Sequence, residues 1–582
     1  MAALCGGKDM EFVVTSEGLV ADGKSAQSAA LTALLARVPE NATVRFPAGD
    51  YYFPETVTVE GKKGLKLVGS RGTRLISHFG PSGDPKENND LFHFCGCADI
   101  TVEDFTVTTD NPIGWAGVVT AVNPEEHYYE VRIHDEFPVT GMEHPVALNT
   151  CDADGTPDYI FDGGGGIYRE NETVIVDGEE VTRYAGLVYE VIGDHLVRFP
   201  VPAETDLHCL PIGEQMCYRF IIYGSTDFYF EDTDRVVLRN IEIERASSVG
   251  LYIAPRCSDF TLDRFCIRLR ADTRALYAGN ADGIHIRGLT GYLRMTDCHF
   301  NGLGDDALNI HGTAGEIMET AGDGYTIRHR YRTGVHDLDG NWAREGDILD
   351  VYDPNSFLRK GKIRVMAWDG LHCKAELIEG EAEPGDAVAN TAYFAATTLI
   401  GCSAKNTRAR AFLLQTHDVR VEDCYVFGMS LPAIILAPDI RVWYEVGPSE
   451  NVVIRNNLFE KCAFVRYGAN LGAIVVKGSH DVGAADYPAG VHRRMTIEEN
   501  TFRGMGNSGI YVSATDTLKI RNNRFAGCGS NLCNTEDISL RADIVTRNCA
   551  HLQVEGNVTD RDPAMVWYAI GCGEEAADGP QG

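Results

Sequence analysis

The chain has 582 residues, an apolar fraction of 44% and a formal charge of −32 at pH 7. That length allows several cores or one elongated one. The acidic excess repels phosphate, which argues against nucleic acid and anionic membrane surfaces as partners, and more weakly against a polyanionic substrate; a neutral substrate fits best.

The opening MAALCGGKDMEF holds no apolar run long enough for a secretory leader, and no stretch approaches the roughly 20 apolar residues of a membrane span. A cytoplasmic protein is the simplest expectation, although a trimmed secreted chain would read the same way. Asp22–Phe53 predicts one amphipathic helix, then a strand and a Pro-Ala-Gly turn. A helix there would cover the open edge of whatever sheet begins at this end. Residues 1–111 are read as this cap and the first coils of a repeat. Residues 112–217 are rich in Tyr, Val and acidic groups with tight turns (VDGEE, IGDH), which predicts an inserted antiparallel, barrel-like module.

A recurring phrase then dominates: a short β-branched strand, a polar pair, an apolar residue and a second alternating strand. It appears as Val236–Pro255 and Leu293–Gly312, within coils spanning 218–313. Residues 314–400 interrupt it with hairpin-like GDGYTIRHRY, LDGNWAREGDILDVYD and KIRVMAWDGLHCKAELIEG, a second barrel-like insert. It resumes across 401–560 as Val419–Pro438, Val452–Cys462, Met495–Ala514 and Leu518–Cys528, before a solvated tail at 561–582. A period of about 20–30 residues built from strands predicts a stacked solenoid. The fold class is therefore all-β: a right-handed parallel β-helix with two inserted small β-barrel-like modules and an N-terminal capping helix. The asparagine-rich pairs (Asn456, Asn457, Asn500, Asn522, Asn523) are expected to form corner ladders. The 17 cysteines are scattered, many inside apolar alternation, and read as buried reduced thiols; Cys95 and Cys97 are too close together for a zinc pair.

Adjacent coils lie about 4.8 Å apart, so aligned residues form columns. Aligning DGIHIR (Asp282–Arg287), DALNIH (Asp306–His311), RAFLLQ (Arg410–Gln415) and PAIILA (Pro432–Ala437) puts Ile284, Leu308, Phe412 and Ile434 on one inner face. Asp282 and Asp306 then share a column with Arg410. Asp305 points another way, but at a corner relaxed by Gly304 it can reach the same groove. Crowded carboxylates repel one another and favour one protonated acid beside ionised partners, the division of labour that glycoside hydrolysis uses. A solvated turn is the plainer reading of an Asp-Asp pair, and three carboxylates would also suit calcium, a reading that Arg410 weakens.

NADGIHI followed by GDDALNIHG resembles the Asn-x-Asp and Gly-Asp-Asp motifs of the polygalacturonases, inverting β-helix hydrolases with three clustered aspartates. Their later Gly-His-Gly and Arg-Ile-Lys motifs find no match here, and the latter grips a uronate. The closer resemblance is to glycoside hydrolase family 110, the exo-acting α-1,3-galactosidases. It rests on ADGIHI, LGDDALNIHG, KNTRARAFLLQT (Lys405–Thr416) and WYEVGPSENVVIRNNLF (Trp443–Phe459), and runs from about Asp22 to Arg524. FPAGDY near the N-terminus resembles the first coil of the wider pectate-lyase-like superfamily.

The family 110 resemblance implies an inverting exo-glycosidase, without metal or other cofactor, releasing terminal α-1,3-linked galactose from neutral glycans such as blood group B or linear α-galactosyl ends. By motif, Asp305 matches the general acid, and Asp282 with Asp306 the pair that positions and deprotonates water. Inversion implies acid and base carboxyls about 6.5–9.5 Å apart. For the sugar itself the candidates are His285 and Asn309 (in a column with Tyr252), His311 (with Arg287 and Gln415), Arg408, Arg410, Trp443 and Glu445. Each has a plainer alternative: buried polar packing for the first column, solvent exposure for His311, a structural salt bridge for the arginines, and core packing for Trp443. A polygalacturonase-like hydrolase and a non-catalytic glycan-binding solenoid stay open as alternatives. The expected partner is a terminal α-galactosyl oligosaccharide or glycoconjugate, and a homodimer is compatible with the sequence.

Overall fold

The computed structural model describes residues 10–78, 90–110, 113–139, 147–151, 172–176, 179–183, 188–219, 225–322, 324–331, 334–336, 342–369, 372–440, 443–464, 471–479, 487–529 and 542–572. The protein is a right-handed parallel β-helix, and its contacts divide into two compact units. Among the described residues no helix is long and apolar enough to cross a membrane.

The first unit comprises Met1–Tyr252, Phe260–Gly283 and Cys298–Asp305. Its one α-helix among the described residues, Ser28–Arg37, buries Leu31, Leu34 and Leu35 with Val38, the i, i+3, i+4, i+7 stripe of an amphipathic helix. It packs on Val57–Glu60, the first strand of a parallel ladder that continues through Phe92–Cys95 and Thr226–Glu231. The Lys62 ammonium closes the helix by donating to the carbonyls of Ala36 (2.8 Å) and Val38 (2.9 Å), where the helix dipole favours a cation. The expected cap is thus in place over a strand edge. Inside, aligned rings stack at the coil spacing: Phe92 on Phe228 and Phe94 on Phe230, the latter with centroids 4.6 Å apart. Residues Gly114 to Arg219 carry an antiparallel six-stranded sheet, ordered Ala147–Cys151, Gln215–Arg219, Gly114–Asn123, Tyr128–Ile133, Leu196–Pro200, Glu190–Gly193. It has its own core of Trp115, Tyr129, Phe199 and Tyr218.

The second unit comprises Ile253–Asp259, Ile284–Asp297 and Asp306–Gly582. One inward column runs Ile284, Leu308, Phe412, Ile434, Ile474, Ile510, Ile544, each paired in parallel with the next. This is the register read from the sequence, extended by three coils. At the corners Asp423, Asn456 and Asn522 take positive φ (55–57°), which Asn and Asp tolerate better than other side chains with a Cβ. The residue after each corner points inward: Asn457, Asn500, Asn523 and the half-buried Asn557, which follow Asn456, Glu499, Asn522 and Gly556, form a ladder of amide hydrogen bonds 2.9–3.0 Å long. The corner-ladder reading of these asparagines holds.

The second insert closes on itself. Leu308–Ala321 pairs with Gly324–Tyr331, then in sequence around the ring come His372–Gly380, Arg359–Trp368, Ile348–Tyr352 and Ala387–Asn390, which pairs back with Leu308–Ala321. Ile317, Ile327, Leu349, Val351, Ile363, Val365 and Val388 fill this barrel. Leu308–Ala321 is therefore one strand with two employments. Its first four residues belong to the parallel coil ladder, its last eight to the barrel wall.

Candidate active site

Asp305 and Asp306 sit where the chain turns into Leu308–Ala321, and Asp282 precedes Ile284–Arg287, its parallel neighbour. The register therefore carries Asp282, Asp306 and Arg410 into equivalent positions on three coils. One carboxylate oxygen from each of Asp282, Asp305 and Asp306 lies within 4.8 Å of the others. Asp282 and Asp306 are buried (3% and 2% exposed), while Asp305 is half-buried.

Asp306 is clamped on both oxygens. The Arg410 backbone N–H donates to Oδ1 (2.9 Å) and its guanidinium to Oδ2 (2.7 Å). A charge-assisted pair of this kind favours the carboxylate form. It also settles Arg410 as a partner of the acidic cluster. Arg408, two residues earlier, is half-buried, and its carbonyl accepts the Ser430 hydroxyl.

Two carboxylate oxygens each about 2.8 Å from a shared water stand about 4.5 Å apart. The cluster is thus spaced to hold one water between two carboxylates. These oxygens lie closer together than the about 6.5–9.5 Å expected between the acid and base carboxyls of an inverting enzyme.

A second group lies farther along the same strands. His285 and Asn309 are paired in register, as are His311 and Gln415. His311 donates from Nδ1 to the carbonyl of Gly312 (2.7 Å), leaving its Nε2 lone pair facing Nε2 of His285 at 3.1 Å. Burial, then the His285 ring beside it, push the His311 pKa well below its usual value, so His311 stays neutral and its Nε2 can accept a hydrogen bond. Glu445 closes the group, with Oε1 3.8 Å from His311 Nε2. It lies in a two-residue strand, Glu445–Val446, that pairs antiparallel with Gly312 and Thr313. Gly312 is required there: a Cβ would stand 2.2 Å from the Phe394 ring. Asn309 Oδ1 and Gln415 Oε1 are buried without a hydrogen-bond partner, two acceptors of the kind that a bound hydroxyl satisfies.

Trp443 is 62% exposed, which removes core packing as its role and leaves its indole face free to stack. Tyr252 stacks on Tyr229 (5.2 Å), and Arg287 donates to the Thr313 hydroxyl (3.3 Å).

Both the three aspartates and His285, His311 and Glu445 present one ligand-type atom each within 4.8 Å, so either set has the spacing of a cation site. The Arg410 guanidinium on Asp306 opposes a cation in the first. In the second, the imidazole atoms already satisfy one another. A cavity of about 690 Å³ in the second unit, lined among others by Asp350, Phe394 and His417, includes none of these residues.

Sequence reasoning missed Arg219 and Asn280, each 1% exposed. The available signal was an arginine ending a strand, MCYR, that alternates toward a buried face.

No family model matches the chain. Among curated proteins it is similar to an α-1,3-galactosidase A of Bacteroides fragilis, 26% identical over 343 residues (57% of this chain, 55% of that protein). It is also similar to an α-1,3-galactosidase A of Shewanella woodyi, 24% identical over 445 residues (73% and 69%). A third relative is an α-1,3-galactosidase B of Bacteroides thetaiotaomicron, 22% identical over 497 residues (81% and 77%). The chain spans about half the length of the first of these relatives. Among solved structures, a family 28 exopolygalacturonase of Yersinia enterocolitica aligns with a TM-score of 0.41 at 10% identity, over 97% of this chain and 78% of that one.

Proposed function

We propose that this chain, homologous to the α-1,3-galactosidases of glycoside hydrolase family 110, is a glycoside hydrolase that releases non-reducing terminal α-1,3-linked galactose from neutral glycans with inversion. The observation that carries this reading is the convergence of Asp282, Asp305 and Asp306, two buried and one half-exposed, with an arginine holding one of them ionised.

In this reading Asp305, the most accessible of the three, gives its proton to the glycosidic oxygen as the C1–O bond breaks. Asp282 and Asp306 hold a water between them, orient it at C1 and accept its proton as the new C1–O bond forms. Arg410 keeps Asp306 in its carboxylate form, free of a proton of its own. His285, Asn309, His311 and Glu445 supply donors and acceptors for sugar hydroxyls, and Trp443 an aromatic face for the ring. The net charge of −32 agrees with a neutral substrate.

The test is an NMR time course on B-trisaccharide and linear α-1,3-galactobiose. β-Galactose appearing first supports the reading; α-galactose first refutes inversion. Turnover of galacturonan instead would point to a uronate hydrolase, and binding without turnover to a lectin-like solenoid. Asp305→Asn is expected to lower kcat about 10²–10⁴-fold while sparing binding. The loss should be smaller on nitrophenyl α-galactoside, whose leaving group needs little protonation.

A further inference from the structure

The loops carrying Asp282 and Asp305 are joined by a side chain that comes from the first insert. Arg219 ends the strand Gln215–Arg219, in the antiparallel ladder between Gly114 and Ala147. Its guanidinium Nη1 donates to the carbonyl of Asn280 (2.7 Å) and to the carbonyl of Gly304 (2.9 Å). Asn280 lies two residues before Asp282; Gly304 immediately precedes Asp305. The same loops also bond to each other, Gly304 N–H to the Gly279 carbonyl (2.8 Å). The Asn280 side-chain amide donates in turn to the carbonyl of Ile113, at the other root of the insert. The junction has no slack: a Cβ on Gly304 would lie 2.2 Å from the Asn280 oxygen and 2.7 Å from Arg219 Nη1.

We propose that Arg219 is a positioning residue for catalysis. The insert uses it, with Asn280, to lock the Asn280–Asp282 and Gly304–Asp305 turns into a single geometry, which makes the insert a structural part of the active site. This rests on the reading of the aspartates given above. The physical reason lies in the carbonyls. Two peptide oxygens turned toward each other repel unless a donor stands between them, and a buried guanidinium can serve both at once. A lysine side chain is one bond shorter, so its ammonium falls short of the Nη1 position and cannot hold both oxygens with the same geometry. A displacement of about 1 Å at reacting groups is enough to cost about 10²-fold in rate.

The experiment compares the whole 582-residue chain with Arg219→Lys, Arg219→Ala and, as a control in the same sheet, Arg198→Ala, which breaks an ion pair with Glu130 and a cation–π contact with Tyr128. Thermal unfolding, KM and kcat on nitrophenyl α-galactoside, and crystal structures of wild type and Arg219→Lys are measured. The expected result is a kcat about 10²-fold lower in Arg219→Lys, KM within threefold of wild type, a pH–rate profile with a displaced limb, and Asp282 and Asp305 carboxylates shifted by about 1 Å. Arg198→Ala should match wild type. If Arg219→Lys is folded with wild-type kcat, or its aspartates superpose on those of wild type, the proposal is overturned. A wild-type protein inactive on every α-galactoside would refute the functional reading instead, and the crystallographic comparison would still decide the positioning role.

Discussion

Replacing Arg410 by alanine removes a strong electrostatic contact from the acidic cluster. Asp306 is 2% exposed and receives two donors from Arg410, the backbone N–H and the guanidinium. The substitution removes the second and keeps the first. Stripping one partner from a buried ion pair costs about 3–5 kcal/mol, because the remaining charge stays desolvated. The retained backbone donor and the 17% exposure of the arginine side chain place this case at the low end, about 3 kcal/mol. That is about a 150-fold fall in the folded-to-unfolded ratio. The penalty arises from an ionised Asp306, so it should shrink as the pH falls and the carboxyl escapes by taking a proton. The same escape removes a base from the cluster. The acidic limb of kcat/KM on nitrophenyl α-galactoside should therefore move to higher pH. Urea unfolding at pH 5 and pH 8, paired with that rate profile, makes the check. A variant as stable as wild type at pH 8 with an unmoved acidic limb would show that Arg410 does not hold Asp306 ionised, and the assigned roles would fall with it.

Other outcomes follow from single residues. His492 is fully buried, accepts the Ser449 N–H at Nδ1 and donates from Nε2 to the Lys477 carbonyl; burial lowers its pKa from 6.5 to about 4. Its folded-state pKa lies below the unfolded value, so it contributes stability above pH 6.5 that is lost as pH falls toward 4, about 3 kcal/mol in all. His492→Gln, which can keep both hydrogen bonds but cannot titrate, should flatten the urea midpoint across that window; an unchanged slope would contradict the assignment. Trp443→Ala, at a mostly exposed ring, should raise KM about tenfold through lost stacking of about 1 kcal/mol or somewhat more, with kcat and thermal stability nearly unchanged. A purely structural role would reverse that pattern. Asn457→Ala orphans the buried Cys424 N–H and Val421 carbonyl and should cost about 2–4 kcal/mol in denaturant melts while leaving the kcat of the folded enzyme intact.

The coil register was legible in the chain because side chains in a strand alternate with period two. Once Ile284 and Leu308 are set on one inner face, Asp282 and Asp306 must follow, and the structure pairs these strands in that register. The asparagine ladder was legible for a related reason: the position after each corner repeats on successive coils, and the same amide there bonds to its own kind. The capping helix announced itself by its 3.6-residue apolar stripe, and the second insert by its tight turns.

What the residues settled alone is local and periodic: strand, corner, inward face, and the column that brings acids from distant parts of the chain to one place. Tertiary structure decided everything that depends on an element outside that period. Glu445 reaches His311 only because Leu308–Ala321 runs on past the coil and picks up an antiparallel partner at Gly312 and Thr313. Arg219 reaches the turns before Asp282 and Asp305 only because the antiparallel sheet ends its strand beside them. Periodicity fixes neighbours one coil away, since their spacing is set by backbone hydrogen bonds. It carries no information on where an inserted module sets down its side chains, because that follows from packing between surfaces that share no repeat.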